Sequence, residues 1–473
     1  MKLLCAFLLL SVTITKAQMA DTIKGNVLKD RIVARFNEGR FKDIYGMADS
    51  GFRANVSEDA IMGLLNTAAS LGKVMSTAFI RADSNAIAYR LFFAKKSLLL
   101  NLLPVSDTVY SVLGLSFYKL PADRSRKEFA SDNPLRSGLD SAVQKAITVY
   151  MSNKNVAGLS VGVLDKGKFA IYNYGETKKG NGQLPTVNTL YEIGSVTKTF
   201  TGILLANAVV QGKLKLEDDI RKYLPGNYPN LQFNDQPVRI IHLSNHTSRL
   251  PSLVKLPGTN EDPFDPAVQF SDKMLDEILQ QITIDTLPGT KRQYSNFGTA
   301  LLGIILEKVY GMGYEQLLNT YILTPYGMKQ TKIVLPKADQ SRLAQGYDVE
   351  GKETKYWNNR LAAPAGGIRS TANDMLIYAR KQMMTGDSAI NLSHRLTFGT
   401  MKEGTGLNWG ILTTKKGYLR WSHDGGTDGF TSLLLIYPEI NAGIILLTNN
   451  GDHDDQSFYN IGIDIYNYLI NPH

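Results

Sequence analysis

Apolar positions along the chain repeat with changing periods, and the order of those changes gives its organisation. A largely apolar run from Leu3 to about Ile14 follows Lys2 and precedes the small or modest residues Thr15 and Ala17. It is shorter than the roughly 20 residues a helix needs to cross a bilayer, so it reads as a secretory signal (residues 1–17) cleaved after about Ala17, with no stable membrane anchor. From about Asp21 the helical spacing of IVARFNEGRFKDIYGMA and SEDAIMGLLNTAASLG gives way to β-rich runs in IAYRLFFAKKSLLLNLLPVSDTVYSVLGLSFYKL, broken at Lys95-Lys96 and Ser106-Asp107. Helices first and an antiparallel meander after predict a small α+β unit over residues 21–120. The charged stretch PADRSRKEFASDNPLR, with Pro121 and Pro134, predicts a linker over residues 121–134.

Beyond it, LSVGVLDKGKFAIYNYG alternates as two strands joined by Asp165-Lys166-Gly167. Strand signals return over residues 408–449, and helix-like stretches fill the interval. This order settles one motif. Gly158-Leu159-Ser160-Val161-Gly162 spells the G-x-S-x-G of a nucleophile elbow, but an elbow needs a helix after the serine, and here a second strand follows. Ser160 is therefore expected to be an ordinary strand residue.

The 473 residues, 43% of them hydrophobic, suffice for two separate cores. The formal charge of +9 is spread along the chain without a binding motif, so nucleic acid is not implied; weak attraction to anionic cell-envelope polymers fits better. Cys5 is the single cysteine and would leave with the signal, so the exported protein, periplasmic or extracellular, forms no disulfide.

The candidate chemistry begins at Ser195-Val196-Thr197-Lys198 in YEIGSVTKTFTGILLANAVVQG, where a hydroxyl and an amine stand three residues apart at the start of an apolar helix. Such residues share a helix face, and the positive end of the helix dipole disfavours an ammonium there, so Lys198 can serve as a base toward Ser195. A free lysine titrates near pH ~10.4, and keeping it neutral at pH 7 requires a depression of about 3 units, roughly 4 kcal/mol. Only burial among cations supplies that. Alone, Ser-x-x-Lys usually marks a solvated helix turn, but two further motifs accompany it. In PGTKRQYSNFGTALLGIILEKVYG, Tyr294-Ser295-Asn296 precedes another apolar helix; Tyr294 can give and take a proton near Lys198, and Asn296 can orient Lys198 and bind a carbonyl. In GYLRWSHDGGTDGFTSLLLIYP, His423-Asp424-Gly425-Gly426 ends a strand signal, where missing side chains at Gly425 and Gly426 let a substrate lie along the strand edge. The N–H groups of Ser195 and Gly426 would form an oxyanion hole, worth about 3 kcal/mol per donor. Taken singly, the second motif is a capped turn and the third a glycine-rich hairpin.

Ser-x-x-Lys, Tyr-x-Asn and His-x-Gly in this order resemble the serine β-lactamase and penicillin-binding-protein superfamily, class C above all. LKLEDDIRKYLP, IIHLSNHTSRLP, the YGM of TPYGMKQT and PAGGIRSTANDM add to the likeness, which covers about residues 135–473. The resemblance implies a mixed α/β (α+β) fold: an antiparallel sheet flanked by helices plus an inserted all-helical subdomain, with the two strand regions meeting in one sheet. It implies Ser195 as acylated nucleophile, Lys198 and Tyr294 as proton-transfer pair, Asn296 as orienter and amide binder, and neither cofactor nor metal. Residues 21–120 resemble the cone-shaped nuclear-transport-factor-like and cystatin-like domains, which implies a binding, positioning or dimerising module.

Two departures matter. His423 stands where β-lactamases and many DD-peptidases have the lysine of a Lys-Thr-Gly triplet, and histidine, with an ordinary pKa of ~6.5, is mostly neutral at pH 7. Asp424 replaces the threonine and adds negative charge. A histidine there is similar to esterases and D-aminopeptidases of the superfamily, so the expected substrate is a small-molecule or peptide ester or amide, peptidoglycan-derived compounds included, rather than a β-lactam. Arg249 in HTSRLP stands where relatives usually have glycine, which leaves the course of the loop from about Leu250 to Pro266 open, at the substrate entrance or as plain surface.

The acidic cluster Asp452-His453-Asp454-Asp455 is the one stretch to weigh as a metal site; it lacks His-x-x-x-His spacing and reads as a solvated loop. His242, His246, His394 and His473 have no evident partners in the sequence.

Overall fold

The computed structural model describes residues 22–82, 86–93, 97–117, 124–256, 258, 263–265, 268–357, 359–384 and 386–471. The signal-like segment with Cys5, the Lys95-Lys96 break, the first linker residues, part of the Leu250–Pro266 loop and His473 lie outside them. The chain divides into two compact units between Pro121 and Ala122.

In the first unit, helices Thr22–Asn37, Phe41–Gly46, Ser50–Asn55 and Glu58–Ala69 precede strands Ser76–Ala82, Ile87–Phe92, Ser97–Pro104 and Tyr110–Phe117. The strands pair antiparallel in sequence order. Alternation directs the packing: Leu98, Leu100 and Leu102 point inward and meet Leu28, Ile32, Phe36 and Leu65.

The second unit is built on an eight-stranded antiparallel sheet. In spatial order its strands are Phe398–Thr400, Glu403–Thr405, Gly410–Thr413, Leu419–Gly426, Thr431–Tyr437, Ala442–Thr448, Gly158–Asp165 and Lys168–Gly175. The early hairpin thus joins the late meander, with Ala442–Thr448 in register with Leu159–Asp165. Ser160 is a buried strand residue that hydrogen-bonds Asn173 at 2.7 Å and Tyr191 at 3.0 Å. The first two strands lie outside the expected 408–449 range, because their exposed, glycine-containing residues carry no alternation to read.

Helices Gly138–Met151 and Gln456–Ile470 pack together over one core containing Val143, Ile147, Phe458 and Ile461. A larger core takes in helices Thr197–Val210, Asn296–Tyr310 and Ala372–Gln382. The helical insertion holds one short hairpin, Gln232–Phe233 with Gln236–Pro237, and a second two-stranded pair joins Tyr191–Glu192, just before the Ser195 turn, to Arg369–Ser370.

The stretch expected to be a linker is, from Arg124 on, part of the second unit. Arg124 meets the buried Asp455 at 3.0 Å, Ser131 bridges Tyr174, and Asp132 accepts from the Asn173 N–H at 2.7 Å. Lys168–Gly175 is the last strand of the sheet, and these polar residues satisfy backbone groups that its open edge would otherwise leave bare.

Candidate active site

Ser195 sits in a short 3₁₀ turn, Gly194–Val196, that runs straight into the helix Thr197–Val210. That helix is apolar almost all round, so it is a core helix, and Lys198 in its first turn is fully buried. Its Nζ donates to Ser195 Oγ at 2.9 Å and to the Ala365 carbonyl at 2.5 Å. Burial pushes the Lys198 pKa down to about 7, against a smaller upward pull from Asp424. This is the depression the sequence argument required, produced by desolvation rather than by neighbouring cations.

Tyr294 stands beside this pair, its ring centroid 5.2 Å from Lys198 Nζ and its hydroxyl toward Ser195. Burial raises its pKa above that of a free phenol. Tyr294 is therefore a neutral phenol at pH 7, and the amine, not a tyrosinate, is the basic group beside Ser195. Ser295 caps the helix Asn296–Tyr310 by accepting from Gly298 N–H at 2.8 Å, and it donates to the Pro251 carbonyl at 2.6 Å. Asn296 begins that helix half-buried, its N–H on the Ser252 carbonyl at 3.0 Å. Among the described residues no hydrogen bond joins its carboxamide to Lys198; the Ala365 carbonyl orients the lysine instead.

His423 to Gly426 form the projecting end of the strand Leu419–Gly426. Pairing with Gly410–Thr413 stops at Ser422, while pairing with Thr431–Tyr437 continues to Gly426, so one edge is left open. That end presses on the Ser195 turn. A Cβ on Gly425 would lie 2.1 Å from the Ile193 carbonyl oxygen and 3.0 Å from Ser195 N; a Cβ on Gly194, at φ +48°, would lie 2.5 Å from Gly426 N. Only glycine permits this approach, and it gathers the N–H groups of Ser195 and Gly426 at one crossing. The half-buried His423 is held neutral, its pKa lowered to about 4 by burial although the Asp424 carboxylate opposes this, and its Nδ1 lies 2.5 Å from the Asp424 carbonyl.

Several groups here had no signal in the sequence. His246, buried at φ +63°, packs tilted against Tyr294 with centroids 4.5 Å apart and accepts from Ser295 N–H at 3.3 Å. Its pKa is driven well below the ordinary value, by burial first and then by Arg292 and Lys198, so it is a neutral support for the tyrosine. Exposed Arg292 adds positive potential at Tyr294, His246 and His423. Arg249 adopts φ +64° and closes a bidentate pair with Asp285 at 3.0 and 3.1 Å.

Asp452-His453-Asp454-Asp455 departs from the expected solvated loop: Asp452 and Asp455 are buried, Asp455 caps Gln456–Ile470, and the His453 ring lies against Gly426. Among the described residues no three metal-ligating side chains converge. His242 accepts the Arg239 N–H at 3.1 Å, and His394 stacks on Trp421 with centroids 3.8 Å apart, so neither belongs to the site.

A buried serine–lysine contact with a phenol beside it and a glycine strand end packed on the serine's turn can carry out acyl transfer. A family model described as Beta-lactamase matches residues 143–462. The chain is 34% identical over 250 residues to a Beta-lactamase of Pseudomonas fluorescens, covering 53% of this chain and 65% of that protein, just under two thirds of its length. It is 28% identical over 348 residues to a Beta-lactamase of Escherichia coli (strain K12), covering 66% and 89%. A solved class C beta-lactamase superposes with a TM-score of 0.61 at 25% identity, over 70% of this chain and 96% of that one.

Proposed function

The chain belongs to the beta-lactamase family, and from that premise we propose that it is a serine hydrolase working through an acyl-Ser195 intermediate on ester or amide bonds of small molecules or peptides. The observation that carries this reading is the 2.9 Å contact between Ser195 Oγ and a buried Lys198 whose pKa is near 7. Ser195 Oγ attacks the carbonyl carbon and passes its proton to Lys198. The Ser195 and Gly426 N–H groups hold the developing oxyanion. Tyr294, neutral and hydrogen-bonded, relays the proton to the leaving group, and water then cleaves the acyl-serine with the proton path reversed. Asn296 is proposed as a contact for the substrate carbonyl.

The base must be deprotonated, so kcat/KM on a p-nitrophenyl ester is expected to rise with pH through a midpoint near 7. Asp424 stabilises the ammonium, so Asp424→Asn is expected to move that midpoint to lower pH. A pH–rate profile of both proteins tests the assignment; a shift to higher pH, or a flat profile from pH 5 to 9, contradicts it.

His423 supports the esterase or D-aminopeptidase branch. Neutral and next to Asp424, it offers a substrate carboxylate little attraction. Benzylpenicillin is expected to be a poor substrate, and His423→Lys to raise its second-order acylation rate at least about tenfold by supplying the missing cation. Unchanged acylation in that variant counts against the role given to His423. A second reading is β-lactamase, which draws on the relatives' names, or D-alanyl-D-alanine carboxypeptidase; the positive potential of Arg292 supports either. Rapid penicillin turnover by the unmodified protein would favour it. A scaffold that lost the chemistry is disfavoured by the intact Ser195–Lys198 contact, whereas a binding protein that acylates without turnover would show itself as a lasting Ser195 adduct with no continued loss of penicillin.

Among the described residues no helix is long and apolar enough to cross a membrane. We propose export through the Leu3–Ile14 segment, and a binding or positioning role for residues 21–120, whose helix-then-meander order supports a small cone-like domain.

A further inference from the structure

Trp357 lies outside every motif that drew attention in the sequence, yet it borders the nucleophile. A Cβ built on Gly366 would meet the six-membered ring of Trp357 at 3.1 and 3.4 Å and the Gly194 carbonyl carbon at 3.7 Å. The indole is thus within a side chain's reach of the residue before Ser195, next to the Ala365 carbonyl that holds Lys198. It is half-buried and packs on the large core.

Its backbone is fixed by an unusual device. Glu192 and Arg369 form a buried ion pair at 3.1 Å, their side chains 2% and 5% exposed. Glu192 accepts the Trp357 N–H at 2.7 Å, and Arg369 donates to the Trp357 carbonyl. Both backbone polar groups of Trp357 are therefore held by the Glu192–Arg369 pair, on the strands Tyr191–Glu192 and Arg369–Ser370, three residues before Ser195 and two after Gly367; burial raises the Glu192 pKa to about 7 although Arg369 opposes this. Hydrogen bonds in a dry interior are stiff, so the Trp357 backbone is held in place relative to the Ser195 turn, and packing against Gly366 places the ring. A rigid, partly exposed aromatic face beside a nucleophile is suited to binding a flat apolar group.

We propose that Trp357 is a specificity-determining residue, forming a wall of the acyl pocket that favours substrates whose acyl group carries an aromatic or flat apolar substituent. This rests on the acyl-serine reading of Ser195. The wall contributes only when the acyl group is long enough to reach it, which separates it from the catalytic groups. The clamp acts on backbone atoms, so replacing the side chain leaves the clamp and the fold in place.

The test compares the unmodified protein with Trp357→Ala and Trp357→Phe on p-nitrophenyl acetate and p-nitrophenyl phenylacetate, with Ser195→Ala in parallel and thermal melts to verify folding. Trp357→Ala is expected to lower kcat/KM for the phenylacetyl ester about tenfold, mainly through KM, and to leave the acetyl ester within about twofold. Trp357→Phe is expected to retain most of the preference. Equal losses on both esters, or no change on either, overturn the wall while leaving the hydrolase reading intact. Phenylacetyl ester hydrolysis that survives Ser195→Ala defeats the hydrolase reading, and the wall with it.

Discussion

Replacement of Ser195 by alanine is expected to lower kcat/KM on any ester or amide the protein hydrolyses by at least about 10³, because nucleophile and base act as a unit and loss of either removes covalent catalysis. The fold should not suffer. Ser195 is partly exposed in its turn, and among the described residues Lys198 keeps the Ala365 carbonyl as a partner when Oγ is deleted. Residual activity should reflect the N–H pair of Ser195 and Gly426, whose backbone the substitution leaves in place. Steady-state kinetics with matched thermal melts read both effects; hydrolysis at more than a tenth of the original rate with an unchanged melt would remove Ser195 from the reaction.

Lys198→Met is expected to cost the same factor of about 10³ or more in acylation and, unlike the serine variant, to raise stability. The sign follows from linkage. The folded pKa is about 7 against 10.5 for the free side chain, so between these values the unfolded chain binds more protons and stability of the unmodified protein rises with pH. Below pH 7 the folded state carries the full cost of a buried ammonium, about 5 kcal/mol from the size of the depression. Methionine fills similar volume without the charge. At pH 6 the variant should therefore melt at higher temperature, and its melting temperature should lose the lysine's contribution to the pH slope between 7 and 10.5. Lower stability at pH 6 would show that the ammonium is adequately solvated in place, and the depressed pKa would then fall with it.

The Ser195–Lys198 contact was legible because both residues lie in one turn of chain, where helical spacing alone brings them together. The joining of the two strand regions was expected from the family resemblance, with which the strand signals over residues 158–175 and 408–449 agree, and Ala442–Thr448 does pair with Leu159–Asp165. What escaped was set by tertiary contact. His246 reaches Ser295 across 49 residues and Glu192 reaches Arg369 across 177, and neither end of either pair carries a local pattern. The raised pKa of Tyr294 was invisible for the same reason: the sequence places a cation nearby, but packing around the ring outweighs it. The Phe398–Thr400 and Glu403–Thr405 strands escaped because they are short and face water.

The central claim is a covalent acyl bond to Ser195, and intact mass after acid quenching reads it directly. The protein and its Ser195→Ala variant would be mixed with excess p-nitrophenyl acetate, quenched within the first turnover, weighed and then digested. The mechanism predicts one acetyl group per chain on the peptide containing Ser195, a matching burst of p-nitrophenol, and neither in the variant. An acetyl group of equal abundance in Ser195→Ala, or one carried on another residue while hydrolysis proceeds, would contradict it.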